Sequence, residues 1–175
     1  ATYAEPAWKG LRLRLVDKPD QSQSQIRIGH LGLRHAAADF LPAKLMNYTL
    51  GGGAFSSRLM KVIRAEGGKT YGASSRFEAE RLPGAFRART FTRNAETETT
   101  LKMLTGELRK MHDQGPSEIE LRDAQSNLAG SYPLSFQTGK DQIESLLRAE
   151  LHGLDDAFVR DYPVRVKAVS MEEAK

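Results

Sequence analysis

The chain has 175 residues, of which 39% are hydrophobic and 27% charged, with no cysteine and a net charge of +4. That length fits one domain with one packed core, and the charged fraction is that of an ordinary globular chain rather than a disordered one. The missing cysteines exclude disulfides and thiolate metal sites, and no stretch reaches the apolar length of a membrane span. The basic balance admits an acidic partner, but Lys and Arg interleave with Asp and Glu almost everywhere. No nucleic-acid-binding motif is present and the aromatics do not cluster among the basic residues, so a solvated mixed-charge surface is the favoured reading. The chain begins at Ala1 with no initiator methionine. The lack of a leader therefore says nothing about export, and the compartment stays open between bacterial periplasm and cytoplasm.

Residues 1–10, with Pro6, read as a linker or lead-in, and residues 11–175 as a single domain. Leu11-Arg-Leu-Arg-Leu15 alternates strictly, predicting a strand with one buried face. Ile26-Arg-Ile28 predicts a second strand, after which the apolar parity shifts to Leu31 and Leu33. Gly29 and Gly32 there allow a bulge or a close backbone approach. Asp39 is a candidate N-cap for a helix through Leu41, Leu45 and Tyr48 that ends at Gly51-Gly-Gly53. Ser56 or Ser57 caps the next helix, with a predicted apolar stripe of Phe55, Leu59, Val62 and Ile63 and a stop at Gly67-Gly68.

Tyr71–Glu80 and Ala85–Thr92 read as an antiparallel hairpin around Leu82-Pro-Gly84. From Ala95 the period turns helical, with Leu101, Leu104, Leu108 and Met111 on one face. Ser117 with Glu120 forms a capping box for a further helix, which Pro133 breaks. Another helix carries Ile143, Leu146, Leu147 and Leu151, and a short one surrounds Phe158. Ser170-Met-Glu-Glu173 is again a capping-box pattern, and the chain stops two residues later. The expectation is a domain shortened at its C-terminal end. The order strand-strand-helix-helix-strand-strand-helices implies an α+β fold, an α/β sandwich whose mostly antiparallel sheet is covered by helices.

The four histidines, His30, His35, His112 and His152, form neither a His-x-x-Glu-His nor a His-Glu-x-x-His pair. Zinc chemistry needs two imidazoles one helical turn apart and a carboxylate to activate water, so no metal site is expected in this chain. Ser56-Ser57 lacks a Gly-x-Ser-x-Gly elbow and reads as capping. Gly51-Gly-Gly53 lacks the Gly-Lys-Ser/Thr of a phosphate loop and reads as a tight inter-helix turn. The sharpest feature is Arg64, near a helix C-terminus, followed across a double-Gly turn by Tyr71 at a strand start. A guanidinium fork and a rigid hydroxyl facing one space suit a peptide carbonyl or a developing negative charge. On spacing alone the plainer reading holds: Arg64 against its own helix's last carbonyls, and Tyr71 in the core.

The surrounding residues carry a resemblance. Asn47-Tyr-Thr-Leu-Gly-Gly-Gly-Ala-Phe-Ser-Ser-Arg-Leu59, then Arg64, then Tyr71 within Thr70-Tyr-Gly-Ala-Ser-Ser75, is similar to the C-terminal, non-catalytic domain of pitrilysin/insulinase-type zinc peptidases, the processing-peptidase-like group. The likeness extends more weakly over most of the chain, to Pro133-Leu-Ser-Phe-Gln-Thr138. It departs at Gly67-Gly-Lys-Thr70, where the family usually has Gly-Leu-x before the tyrosine, and in lacking the family's closing helix and strand. The resemblance implies that Arg64 and Tyr71 contact an extended peptide near its scissile bond. A homologous partner domain, in cis or in trans, would hold the zinc in an inverted His-x-x-Glu-His site. It implies no catalytic residue, metal or cofactor in this chain, which would be inactive by itself. The other implied reading is a structural or assembly subunit of a core-protein complex.

Overall fold

The computed structural model describes residues 9–175; residues 1–8, most of the expected lead-in, lie outside it. Three strands, β1 (Gln23–Leu31), β2 (Ala73–Phe77) and β3 (Ala85–Arg93), form one antiparallel sheet in the order β1-β3-β2. β3 alternates as a half-covered strand should. Phe86, Ala88, Thr90 and Thr92 are buried, and Arg89 and Arg93 are exposed. The β1–β3 register runs unbroken from Gln23↔Arg93 to Leu31↔Ala85, so the parity shift after Ile28 introduces no bulge within the strand. Gly29 is instead a close approach: a Cβ there would stand 2.5 Å from the Phe86 carbonyl oxygen.

The strand expected at Leu11–Leu15 is absent. Those residues join no ladder, and Leu11, Leu13 and Leu15 are 98%, 88% and 89% exposed. Alternation provides an apolar edge but not a partner, and among the described residues β1 pairs only with β3. The fold class stands all the same: α+β, with an antiparallel sheet under helices.

Helix α1 (Phe40–Asn47) starts at Asp39, whose side chain makes no capping hydrogen bond. It runs into a π-helical segment at Tyr48–Gly52, a 3-10 turn at Ala54–Ser56, and a second π-helical segment at Met60–Glu66. The serines do not cap. Ser56 Oγ donates to Gly53 O and Ser57 Oγ to Ala54 O, at 2.7 and 2.8 Å. Gly51 is fixed by space, since a Cβ there would meet Ser75 N at 2.4 Å. The glycine turn therefore lies hard against β2. Ser75 Oγ donates to Asn47 Oδ1 at 2.7 Å and Asn47 Nδ2 donates to Ser75 O at 3.3 Å, which satisfies buried polar groups that would otherwise cost about 1–3 kcal/mol each.

Helices α2 (Thr97–Gln114), α3 (Glu118–Ser131), α4 (Gly139–Leu151), α5 (Asp156–Arg160) and α6 (Tyr162–Ala168) complete the molecule. One core cluster joins the sheet residues Ile26, Phe86 and Ala88 to Leu50, Leu59, Ile63 and Leu104. A second joins Leu45 to Leu121, Ala124, Tyr162 and Val166. Leu45, Leu59, Ile63 and Leu104 are fully buried, each contributing about 1.5–3 kcal/mol. The Ser117–Glu120 capping box forms as the sequence indicates, and Thr138–Asp141 builds another at α4. The Ser170–Glu173 box also forms, opening a single turn.

Candidate functional site

Arg64 stands in the last turn of the second π-helical segment, which closes through Gly67 and Gly68, the latter at φ 57°. Gly67 N–H donates to Val62 O and Lys69 N–H to Ile63 O, at 2.9 and 3.0 Å. Backbone donors thus take up these late carbonyls. The Arg64 guanidinium lies instead over the Phe55 ring, 4.8 Å from its centroid, a cation–π contact. Phe55 corrects the expected apolar stripe: it is 72% exposed, while Leu59 and Ile63 from the same stripe are buried. The physical cause is Ala54, whose φ of 49° makes it the one non-glycine with positive φ among the described residues. The left-handed kink breaks the helical phase, so Phe55 turns outward while Leu59 stays inside.

Tyr71 is 82% exposed, so it is not a core residue. Its backbone neighbours are tied down. Thr92 Oγ1 donates to Lys69 O at 2.6 Å, Gly72 N–H donates to Thr70 Oγ1 at 3.1 Å, and Thr90 Oγ1 donates to Gly72 O at 3.0 Å. A rigid strand start therefore carries a solvent-facing phenol. No hydrogen bond joins Arg64 to Tyr71, and Arg64 makes no ion pair among the described residues. The structure leaves both side chains accessible without linking them directly. Segments of π-helix recur at functional sites, and here one runs into the glycine turn through Gly51 and Gly52 while the other carries Arg64.

The Ser-Arg-Leu part of the motif has a structural purpose that the sequence did not reveal. Arg58 Nε and Nη2 donate to the two carboxylate oxygens of Glu120 at 2.7 and 2.6 Å, and Nη2 also donates to Gly115 O at 3.1 Å. Glu120 accepts the Ser117 N–H as well, at 2.8 Å. The Arg58 hydrogen bond above all, then Ser117, hold the Glu120 carboxyl down at about 2. This clamp fixes the start of the second π-helical segment to the α2–α3 turn.

The histidines scatter. His30 packs on Phe86 with centroids 5.0 Å apart, and His112 sits in the last turn of α2. His35 and His152, distant in sequence, stack at 4.4 Å and 10°. Burial first, then the neighbouring His152, Lys44 and Arg148, push His35 down to about 4. The stacked imidazole is therefore neutral near neutral pH. No signal in the sequence pairs these two rings. Among the described residues no group of three or more His, Cys, Asp or Glu side chains is arranged to hold a metal ion. No helix among them is long and apolar enough to cross a membrane.

An antiparallel sheet lies under helices, with a glycine turn packed against its strand β2. Residues 3–128 match the family described as the peptidase M16 inactive domain, and the chain belongs to that family. A Pseudomonas fluorescens peptidase M16 inactive domain of known structure is 29% identical, with a TM-score of 0.82, covering 88% of this chain and 36% of that one. A Helicobacter pylori protein named non-peptidase homolog YmxG is 25% identical over 135 residues, covering 77% of this chain and 31% of its own length. The chain thus spans about a third of the length of these relatives. A putative zinc protease from Bordetella pertussis shares the fold at 18% identity and a TM-score of 0.72, with 87% and 84% covered.

Proposed function

We propose that this chain is the non-catalytic, substrate-contacting half of a zinc metalloendopeptidase. In this reading Arg64 and Tyr71 hold the backbone of an extended peptide, opposite a zinc site on a homologous domain in cis or in trans. The observation that carries it is the exposed phenol of Tyr71 on a rigid strand start, close in the chain to an arginine that no carboxylate among the described residues neutralises. Buried, or paired with an acid, neither group could reach a ligand. The guanidinium stacked on Phe55 is preorganised and retains donors for a peptide carbonyl or a tetrahedral oxyanion. The hydrolytic water and its activation belong to the partner.

The test pairs this chain with its zinc-bearing homologous domain and follows peptide hydrolysis. Arg64→Ala and Tyr71→Phe should each lower kcat/KM by roughly tenfold to a hundredfold, with zinc content unchanged. Unchanged turnover per assembled complex would sink the reading. A second reading, a structural or assembly subunit without catalysis, draws support from the H. pylori relative, which is named a non-peptidase homolog. Under it, the same variants leave every property but assembly untouched.

A further inference from the structure

The sheet has two faces of opposite character. Ile26, Ala73, Ser75, Phe86, Ala88 and Thr90 point under the helices. On the other face the register sets Arg27 directly opposite Arg89, and Arg76 directly opposite Arg87. Arg27, Arg76 and Arg89 are exposed and Arg87 is half-buried. Like charges placed directly opposite across a ladder repel, and sheets ordinarily avoid the arrangement. Among the described residues the only carboxylate paired with any of these four is Glu78, which Arg76 and Arg87 share. Arg89 donates only to Ser74 Oγ, at 3.2 Å, and Arg27 has no ion pair among the described residues. Two guanidinium groups side by side on an open sheet are thus left without a counterion among the described residues.

We propose that this open face of β1, β3 and β2 binds an acidic, extended peptide segment, with Arg27 and Arg89 as its principal contacts. Side chains two apart on a strand repeat at about 6.6–6.8 Å, and so do those of an extended ligand laid along it. Alternate carboxylates of such a peptide can therefore match Arg87 and Arg89, two apart on β3, while Arg27 stands directly across the ladder from Arg89 and can share its carboxylate, in the bidentate geometry that guanidinium and carboxylate favour. A single-stranded nucleic acid also carries regularly spaced anions. Its bases would need exposed aromatic platforms, and on this face Phe91 is half-buried. The acidic peptide is the better fit. This inference deepens the proposed function by naming the substrate class. It rests on that reading for its biological setting, but the preference for acidic side chains is carried by Arg27 and Arg89 and not by Arg64 or Tyr71.

Fluorescence polarisation on the full chain tests it, using labelled peptides of about ten residues that alternate Glu with Thr, Gln with Thr, or Lys with Thr, and an oligothymidylate of similar length. The Glu peptide should bind about tenfold or more tighter than the Gln peptide, losing most of that margin between roughly 50 and 300 mM salt. Arg27→Gln and Arg89→Gln should each weaken it several-fold, with the melting temperature held or raised, because each relieves a repulsive pair. Arg64→Ala and Tyr71→Phe should leave the Glu-over-Gln preference intact, so a failure of the Arg64–Tyr71 reading remains distinguishable. Equal binding of the Glu and Gln peptides, or a preference that survives both Arg27 and Arg89 substitutions, overturns the proposal. So does tighter binding of the oligothymidylate through the same arginines.

Discussion

Glu120 shows how one side chain can unite three elements. It caps α3, neutralises Arg58 and, through Arg58, fixes the Gly115 turn. Glu120→Gln keeps the shape but removes the negative charge to which Arg58 and the Ser117 N–H both donate. It should cost about 1–2 kcal/mol in urea unfolding, the sum of a weakened cap and a lost charge-assisted pair. The capping function was legible in the sequence from Ser-x-x-Glu. The Arg58 pairing was not, because the two residues lie 62 positions apart and nothing local marks either as the other's partner. The same contrast holds at the candidate site. Spacing drew attention to Arg64 and Tyr71. Only the fold showed that Arg64 rests on Phe55 and that Ala54 at positive φ turns that ring to solvent.

At the scale of elements, periodicity located α2 and α4 equally well but said nothing of what each faces. In α2 the stripe points mostly inward, with Leu104 and Met111 buried, while Leu101 in its first turns is 38% exposed. In α4 it points outward: Ile143, Leu146, Leu147 and Leu151 are 60%, 48%, 63% and 62% exposed. Leu104→Ala should therefore cost about 2–5 kcal/mol, from lost transfer energy and the cavity left behind. Leu147→Lys should change stability by no more than about 0.5 kcal/mol. Denaturant midpoints for the two variants at equal m-value check both. The Leu11–Leu15 segment teaches the same lesson for strands. Two-residue alternation fixes which side chains share a side, and pairing depends on whether another strand is there to receive them.

Across the whole molecule, titration links parts that are remote in sequence. His35 belongs to the β1–α1 connection and His152 caps the end of α4, so their stack ties the strand-and-glycine half to the C-terminal helices. Burial, His152, Lys44 and Arg148 lower His35 from 6.5 to about 4. The unfolded chain then binds the extra proton between those values and the folded chain does not. Stability should be level above pH 6.5 and decline as pH falls from 6.5 toward 4. A separate decline belongs to Glu120, whose carboxyl drops from 4.5 to about 2 on folding, so its contribution fades as pH falls through that lower window. His35→Phe should flatten the upper decline and leave the lower one. Chemical denaturation at stepped pH separates the two, and an unaltered upper slope in the variant would assign it elsewhere.

The sequence by itself determined the class of the fold, the hairpin of β2 and β3, the α3 capping box, and the family signature in the Gly-Gly-Gly and Ser-Arg-Leu stretch. All of these rest on local chemistry: side-chain period, backbone freedom and capping groups a few residues apart. Tertiary structure alone decided which apolar stripes are covered, which arginines lie opposite one another, and which side chains near the glycine turn meet solvent. Those outcomes depend on strand register and helix placement, which bring together residues tens of positions apart, and a local pattern of alternation or spacing is the same whichever partner it finally meets.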